Sequence, residues 1–386
     1  MSDGFEFVAP GQVAFGPGKV RRVPEFGAAW GQRVLVVTGS SSDRAAALIA
    51  DLQQRGFICC IWRGAGEPEV SHAEAAARAA RDHAAEWVLS VGGGAALDLG
   101  KAAAALAPCR GPVMDYLEVV GKGRPLDAAP LPMIAVPTTA GTGSEATKNA
   151  VLKVPDSAVK VSLRDPRMVP QAVFLDPDLT RHLPPDITAA TGMDALTQLL
   201  EAAVCRRATP WTDGLCKAGI RAARHALPRC VAEGGDLEAR AAMLQAAYFS
   251  GLALANAGLG AVHGFAAPLG GRYPIAHGIA CASLLAPVWR INLETLRLTA
   301  PTGPELQRFT RAAEWLTDRP GATAEDAIEW IEALAASLKI PRLSQLGVPA
   351  TDHDELCRAA QQASSMKANP APLDHDALMR ILDLAG

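Results

Sequence analysis

No CxxC motif occurs in this sequence, although it contains eight cysteines. A zinc ribbon needs CxxC pairs, and a disulfide-stabilised domain needs many cysteines in a short chain, so the sequence favours neither. We expect these residues to be buried thiols. They are Cys59, Cys60, Cys109, Cys205, Cys216, Cys230, Cys281 and Cys357.

Long apolar runs and an excess of positive charge are also missing. The longest apolar stretches, such as residues 279–288, fall well short of the ~20 residues that cross a bilayer. The first residues lack the basic region and apolar core of a signal peptide. With a net charge of -3 and 49% hydrophobic residues, the composition indicates neither a nucleic-acid binder nor a disordered chain. We expect a cytoplasmic protein whose partners are small molecules, with no nucleic acid and no membrane.

The chain has 386 residues, which is enough for two domains of ordinary size. Its first half alternates short β-branched runs with alanine-rich amphipathic stretches, a pattern typical of a parallel sheet covered by helices. We predict strands at residues 33–38, 57–62, 87–91 and 132–136, and helices at 43–55 and 72–83.

The second half has a different pattern. After Pro184 and Pro185, helical periods follow one another without intervening strands, at 187–205, 211–226, 237–255, 305–317 and 325–338. We therefore predict an α/β dinucleotide-binding domain of residues 1–183 and an all-helical domain of residues 184–386.

A glycine triplet, Gly92, Gly93 and Gly94, lies between a predicted strand and the start of a helix. Glycines let backbone N–H groups approach a pyrophosphate, and a helix N-terminus favours an anion. The alternative is a tight turn that binds nothing, because such turns are common in α/β proteins.

A second loop, residues 137–145, follows the next strand and combines small hydroxyl side chains with glycines. Hydroxyl and amide groups suit phosphate and ribose oxygens, although the same residues also form ordinary surface turns. Two such loops in one α/β half make a nucleotide site the better interpretation. Neither loop is GxGxxG, so a standard Rossmann site is not indicated.

Asp194 and Gln198 are four residues apart at the start of a predicted helix and so share one of its faces. His263 and His277 follow later in the chain. An aspartate with two histidines is a typical donor set for a divalent metal. A structural role for either histidine alone remains an alternative.

Several motifs together resemble the iron-containing (group III) alcohol dehydrogenase family. They are FGPG at 15–18, GGG…D…K at 92–101, PTTAGTGSE at 137–145, KVS at 160–162, DPDLT at 176–180, TGMDALT at 191–197, HG…PLGG at 263–271 and HG…A…LL at 277–285. Their order and spacing are similar to those of the family over essentially the whole chain.

The resemblance implies an N-terminal dinucleotide domain, a C-terminal helical domain that holds the metal, and a cleft between them. It implies that Gly92, Gly93, Gly94, Asp98 and Lys101 line the pyrophosphate, and that Thr138, Thr139 and Thr142 contact phosphate or ribose. Lys160 and Leu179 are expected near the nicotinamide ribose or the adenosine. Asp194, His263 and His277 match three of the four metal ligands, and a homodimer is expected.

The fourth ligand differs, because the family has a histidine at the position of Gln198. An amide oxygen is a weaker, neutral donor, so we expect the affinity for Fe²⁺ or Zn²⁺ to be lower. Ala267 and Ala276 also replace family residues, a histidine and commonly a proline. These changes leave the nucleotide half untouched.

The resemblance implies an NAD(P)-dependent oxidoreductase that transfers hydride between the nicotinamide and a small alcohol, aldehyde or ketone. With a metal, Lewis-acid polarisation of the substrate oxygen assists the transfer. Without a metal, His263 or His277 would exchange the proton, as in the related maleylacetate reductases.

Three other functions remain open at the level of the sequence. The first is a metal-independent reductase of an oxoacid, with Arg272 or Lys367 binding the carboxylate. The second is a lyase or cyclase similar to dehydroquinate synthase. The third is a protein that binds nucleotide but has lost catalysis. The intact motifs at 137–145 and 191–197 favour the dehydrogenase.

The choice between NAD(H) and NADP(H) depends in doubly wound folds on an acidic residue after an early strand, which binds the ribose 2′-hydroxyl. Here that place holds Thr38, Gly39, Ser40 and Ser41. Because no carboxylate repels a 2′-phosphate there, we expect Gly39 and Ser40 to contact the cofactor and NADP(H) to be tolerated or preferred.

Overall fold

The structure, a computed structural model, describes residues 4–40, 43–64, 66–157 and 159–386. Its internal contacts divide the chain into two compact units. The α/β unit comprises Val8–His182, and the helical unit comprises Leu183–Gly386 together with residues 4–7. In the second unit Phe5 and Phe7 pack against Trp211, with ring centroids 5.3 Å and 5.2 Å apart. These two residues therefore belong with the helices, although the sequence assigned them to the α/β domain.

The α/β unit contains eight named strands and four named helices among the described residues. The strands are β1 (Gln12–Phe15), β2 (Arg33–Thr38), β3 (Ile58–Arg63), β4 (Trp87–Gly92), β5 (Met133–Pro137), β6 (Asn149–Val154), β7 (Val159–Arg164) and β8 (Ala172–Leu175). The helices are α1 (Val23–Gly27), α2 (Asp43–Gln54), α3 (Val70–Asp82) and α4 (Gly94–Leu106). The predicted strands and helices of this half agree with these elements to within two residues.

Six of the strands form one parallel sheet in the order β1-β8-β5-β4-β2-β3. β4 is buried along its whole length, as expected for a central strand with helices on both faces. The strands β6 and β7 form a separate antiparallel hairpin. Because all six sheet strands are parallel, β2, β4 and β5 end at the same edge, and this edge carries the predicted nucleotide loops.

One part of the hydrophobic core of the α/β unit lies between the sheet and α2. Val34 and Val36 of β2 are fully buried against Leu52 of α2 and Trp87 of β4. The β-branched runs recognised in the sequence are thus buried strands, as their composition predicted.

The helical unit consists of nine named helices among its described residues. They are α5 (Pro185–Val204), α6 (Pro210–Ala232), α7 (Leu237–Asn256), α8 (Ala261–Arg272), α9 (His277–Thr299), α10 (Pro304–Thr317), α11 (Ala324–Ser337), α12 (His353–Gln362) and α13 (His375–Ala385). Five of them were predicted. α6 continues six residues beyond the predicted end at residue 226, with Pro228 inside it. The parallel sheet and the helical second half confirm the predicted fold class.

In the described part of the chain, no single helix is both long enough and apolar enough to cross a membrane. α7 and α8 meet the length and composition criteria only when taken together, and they are bent by 100° with respect to each other.

α9 approaches α5 closely at Gly278. A Cβ atom at this position would collide with the carbonyl oxygen of Ala190. The glycine therefore lets α9 begin directly against α5, and this contact brings His277 near Asp194.

Candidate functional site

The two predicted nucleotide loops lie side by side at the edge of the sheet. Gly92, the last residue of β4, pairs with Pro137, the last residue of β5, and Thr138 donates its N–H to the Gly92 carbonyl at 2.9 Å. A Cβ atom on Gly92 would also lie 3.4 Å from the Gly39 nitrogen. The ends of β2, β4 and β5 thus meet, as the sequence analysis required.

Glycines are needed where the loops touch. A Cβ on Gly93 would lie 3.3 Å from Thr139 Oγ1, and one on Gly94 only 2.6 Å from Thr142 Cγ2. α4 begins at Gly94, and among the described residues no side chain caps its N-terminus. Its first N–H groups are left for an anion, which suits a pyrophosphate.

Asp98 and Lys101 hold the second loop in place. The side chain of Lys101 is completely buried, and its ammonium donates to Ser144 O at 2.8 Å, to Thr147 Oγ1 at 2.7 Å and to Asn149 O. Asp98 accepts from the Ser144 hydroxyl and lies 3.1 Å from Lys101 Nζ.

All three ammonium donors of Lys101 point to oxygens of the protein in this structure, and its contact with the pyrophosphate stays a prediction. Asp98 also accepts the N–H of Val151 at 3.0 Å, so it joins the loop to β6. Both residues shape the nucleotide loop from inside the protein.

Glu145 is buried beside this network. Burial raises the pKa of Glu145 to about 7, although the Lys101 charge acts in the opposite direction. Its Oε1 atom is buried without a hydrogen-bond partner among the described residues. A protonated carboxyl group fits such a position better than a carboxylate.

The other predicted cofactor residues are dispersed within the α/β unit. Gly39 is partly buried and Ser40 exposed directly after β2, while Ser41 lies outside the described residues. Lys160 on β7 is bound to Glu67 Oε1 at 2.5 Å. Leu179 packs against the hydrophobic core, so its side chain contributes to the packing of this unit.

A compact cluster of polar side chains lies within the helical unit. Asp194 Oδ1 is 3.4 Å from His263 Nε2 and 3.6 Å from His277 Nε2. Cys281 Sγ is 3.7 Å from the Nε2 atoms of both histidines. The donor atoms of these four residues all lie within 4.8 Å of one another. We call Asp194, His263, His277 and Cys281 the donor cluster.

Three helices supply the donor cluster. Asp194 comes from the middle of α5, His263 from the first turn of α8, and His277 and Cys281 from the first two turns of α9. His277 and Cys281 are four residues apart and so share one helical face. His277 is the most accessible member, with 36% of its side chain exposed.

Glu201 orients His263 from the next turns of α5. Its Oε2 atom lies 2.6 Å from His263 Nδ1, and its Oε1 atom accepts the N–H of Val262 at 2.7 Å. When Nδ1 carries the proton and donates to Glu201, the Nε2 lone pair faces the donor cluster. A carboxylate in this position behind a histidine is typical of metal sites.

Gln198 does not join the donor cluster in the predicted way. Its amide oxygen accepts a hydrogen bond from Ser250 at 2.9 Å, and its side chain also hydrogen-bonds the carboxylate of Asp194. The same hydroxyl group of α7 also lies 2.7 Å from the carbonyl oxygen of Ala247. In this arrangement Gln198 supports Asp194, and its role as a metal ligand stays a prediction.

The residues of the cluster shift one another's pKa values. Burial raises the pKa of the Cys281 thiol, but the charges of His263 and His277 outweigh it, so the pKa is lowered. Burial lowers the pKa of His263, yet Cys281, Asp194 and Glu201 raise it well above its ordinary value. Burial raises the pKa of Asp194, but the two histidines outweigh burial, so this pKa is lowered.

The donor cluster fits a divalent metal ion. Asp194 Oδ1 is buried and has no hydrogen-bond partner among the described residues, since neither histidine contact has the required geometry. A buried carboxylate oxygen without a partner is costly, and a cation relieves that cost. Carboxylate, imidazole and thiolate are all common ligands of divalent transition metals.

The sequence analysis missed Cys281 and Glu201. Both carried a local signal, because Cys281 lies one turn after His277 and Glu201 lies two turns after Asp194 on the same helical face. Neither signal was specific, since a cysteine or a glutamate on an amphipathic helix usually has no ligand role.

Comparisons with known proteins agree with this arrangement. The model of the iron-containing alcohol dehydrogenase family matches residues 10–177, and the C-terminal model of the Fe-containing alcohol dehydrogenase family matches residues 188–386. Long-chain-alcohol dehydrogenase 1 of Geobacillus thermodenitrificans (strain NG80-2) is 35% identical over 357 residues, which are 91% of this chain and 89% of that protein.

Two further relatives are similar over nearly their whole length. The NAD-dependent methanol dehydrogenase of Bacillus methanolicus is 32% identical over 378 residues, or 94% of this chain and 95% of that protein. The crystal structure of a 1,3-propanediol oxidoreductase has a TM-score of 0.91 at 31% identity and covers 100% of both chains.

A nucleotide-type loop pair in one unit and a metal-type donor cluster in the other are typical of an oxidoreductase that uses a dinucleotide. With the matches over both halves, the chain belongs to the iron-containing alcohol dehydrogenase family. It is an oxidoreductase that acts on CH–OH groups, and its family implies NAD(P) and a divalent metal.

Proposed function

We propose that this chain transfers hydride between a nicotinamide dinucleotide and a small primary alcohol or its aldehyde, assisted by a divalent ion. The donor cluster carries this proposal, because a buried carboxylate oxygen that has no hydrogen-bond partner in the described part of the chain faces two imidazole nitrogens. Methanol and 1,3-propanediol, which occur in the names of relatives, are both primary alcohols. The cytoplasmic location and the homodimer stay predictions.

Different residues of the chain would bind the dinucleotide and the ion. The N-terminus of α4, together with the close approach of Gly93 to Thr139 and of Gly94 to Thr142, would bind the pyrophosphate. Asp194, His263 and His277 would hold the ion, and the Glu201 carboxylate, 2.6 Å from His263 Nδ1, would accept a proton carried on that nitrogen. When bound, the ion supplies Lewis-acid polarisation of the substrate oxygen.

The first test is a screen of the purified protein, prepared without chelators, with short primary alcohols and both nicotinamide cofactors. We expect cofactor reduction with at least one alcohol and its loss after removal of divalent metal. Failure to bind NAD(H) or NADP(H) at millimolar concentration would contradict the proposal.

The surroundings of Arg272 argue against the alternative function of a metal-independent oxoacid reductase. This guanidinium lies 3.0 Å from Asp352 Oδ2 and also pairs with Glu355. With two carboxylates beside it, the arginine is poorly suited to bind a substrate carboxylate.

For cofactor choice, we infer that NADP(H) is accepted at the end of β2. Gly39 presents no carboxylate, and Arg63, the last residue of β3, pairs in register with Thr38 just before it. Arg63 is exposed, and an arginine on the neighbouring strand suits a 2′-phosphate. A kcat/KM ratio that favours NAD(H) by more than about tenfold, or roughly 1.4 kcal/mol, would contradict this inference.

A further inference from the structure

The thiol of Cys281 lies beside Asp194, His263 and His277 in the donor cluster of the helical unit. Its Sγ atom lies 3.7 Å from His263 Nε2 and 3.7 Å from His277 Nε2, and it is within 4.8 Å of the donor oxygen of Asp194. Cys281 itself is fully buried. An isolated buried cysteine would carry no such implication, but this one faces three other donor atoms.

The spacing of the donor atoms matches a tetrahedral site. With metal–oxygen and metal–nitrogen bonds of about 2.0 Å and a metal–sulfur bond of about 2.3 Å, neighbouring donor atoms lie about 3.3–3.6 Å apart. The observed separations are 3.4 Å and 3.6 Å from Asp194 to the two histidines, and 3.7 Å from each histidine to Cys281. The remaining two separations, between the two histidines and between Asp194 and Cys281, lie within 4.8 Å, so side-chain shifts of about 1 Å or less bring all four atoms within reach of one ion.

The neighbouring residues support the same assignment. Gln198 hydrogen-bonds both Ser250 and the carboxylate of Asp194, so in this arrangement its amide supports Asp194. Asp194 Oδ1 is buried and unpartnered among the described residues. This second observation indicates that a cation belongs between Asp194 and the three other donors.

The charges of the ligands suit a divalent ion. The Asp194 carboxylate and a Cys281 thiolate bring two negative charges to the ion, both histidines bind as neutral imidazoles, and the Glu201 carboxylate behind His263 adds a third negative charge nearby. On binding, the S–H bond of Cys281 breaks, a sulfur–metal bond forms, and the proton leaves to solvent.

We propose that Cys281 is the fourth protein ligand of the metal site and that its thiolate makes the site select Zn²⁺ over Fe²⁺. Soft thiolate ligands favour zinc, and an aspartate, two histidines and a cysteine form a tetrahedral zinc set. The proposal rests on the proposed function in that it concerns the ion that assists hydride transfer. Zinc can expand to five ligands, so four protein donors leave access for a substrate oxygen.

The wild-type protein provides the first test and needs no variant. After metal removal it is reloaded with Zn²⁺ and, in a separate sample, with Co²⁺. We expect one zinc per chain, an X-ray absorption signal for one sulfur atom about 2.3 Å from the zinc, and a sulfur-to-cobalt charge-transfer band. Absence of bound zinc, or bound zinc without a sulfur neighbour, would overturn the proposal.

The second test compares Cys281→Ser with Cys216→Ser. Both cysteines are buried in the helical unit, but Cys216 lies on α6 outside the donor cluster. Loss of a residue that only hydrogen-bonds a metal ligand typically weakens metal affinity by about 10–100-fold, so loss of the ligand itself should weaken zinc binding by about 100-fold or more. We expect Cys281→Ser to lose the charge-transfer band and its preference for zinc over iron, and Cys216→Ser to keep both.

The outcomes separate this proposal from the proposed function. If zinc is bound through sulfur but no alcohol is oxidised, the ligand assignment stands and the dehydrogenase proposal fails. If alcohols are oxidised while Cys281→Ser binds zinc as tightly as the wild type, the dehydrogenase stands and the role of Cys281 is wrong.

Discussion

Glu201 and Gly39 show how single residues control this site without reacting themselves. Glu201 fixes the orientation of His263 through a contact of 2.6 Å between Oε2 and Nδ1, and it caps the start of α8 through Val262. Gly39 leaves open space at the end of β2, since a Cβ there would have no heavy atom within 4 Å among its described surroundings. Both residues are therefore suitable positions for substitutions that test their roles.

Glu201→Gln should weaken metal binding, because a neutral amide holds the His263 proton on Nδ1 less firmly. We expect a loss of about 10–100-fold in zinc affinity, measured by competition with a chromogenic chelator. A purely structural role would lower thermal stability and leave the affinity of the folded protein unchanged. Glu238→Gln, at an exposed glutamate of the same unit, is the matched control.

Gly39→Asp should shift cofactor preference toward NAD(H). A carboxylate there can accept hydrogen bonds from the ribose 2′-hydroxyl and repel a 2′-phosphate. We expect the ratio of kcat/KM for NADP(H) to that for NAD(H) to fall by about tenfold or more, roughly 1.4 kcal/mol. Gly39→Asn, which is similar in size but uncharged, serves as the control. An unchanged ratio would mean that this position is not near the ribose.

At the scale of secondary-structure elements, the metal site depends on how α9 begins against α5. Gly278 is the contact point, and its neighbour His277 and the next-turn residue Cys281 both belong to α9. Asp194 belongs to α5. A change in the distance between these helices therefore changes the distances within the donor cluster.

Gly278→Ala should destabilise the helical unit by about 1–3 kcal/mol, since the added methyl group forces the helices apart. It should also reduce zinc affinity by separating His277 from Asp194. The control is Gly214→Ala on α6, where the added atom meets open space and the helix should gain about 0.5–1 kcal/mol. Urea denaturation and zinc titration measure both effects, and equal behaviour of the two variants would refute the packing argument.

At the scale of the whole molecule, stability depends on buried charges that play no part in hydride transfer. In the α/β unit, Glu145 lies in a network with the fully buried Lys101 and with Asp98. Burial lowers the pKa of Lys101, and the Asp98 charge opposes this effect. The network joins α4 to the loop before β6, so its protonation affects the unit as a whole.

Stability should fall as pH rises, because burial raises the pKa of Glu145 from 4.5 to about 7. The folded state holds this proton in the window between the two values, while the unfolded state has already lost it. Glu145 therefore contributes no penalty below the unfolded pKa and a full one above about pH 7, on the order of 3 kcal/mol.

Glu145→Gln should remove this dependence. We expect the variant and the wild type to melt at similar temperatures near about pH 5, and the variant to melt higher near about pH 8. Differential scanning calorimetry at several pH values measures the difference. Melting temperatures that stay parallel across the range would show that Glu145 is ionised in the folded protein throughout.

Local sequence patterns were sufficient for much of the fold. The β-branched run at 33–38 was predicted as a strand, and it is β2 with the same bounds. The short strands β1 and β8 were not predicted, because four residues carry little periodicity and their pairing depends on distant partners. The motif at 92–101 located the glycine turn, but the sequence could not show that Lys101 is enclosed by protein oxygens.

The metal site shows what only the tertiary structure decided. The sequence alone determined that Asp194, His263 and His277 are of ligand type and correctly spaced for this family. The place of Cys281 beside His263, 18 residues away in the chain, and of Glu201, 62 residues away, depends on the packing of three helices. Local propensity fixes the helices but not their contacts, since side-chain distances between helices follow from packing at residues such as Gly278. For that reason Gln198 looked like a lost ligand in the sequence, whereas the folded chain places a thiol opposite Asp194.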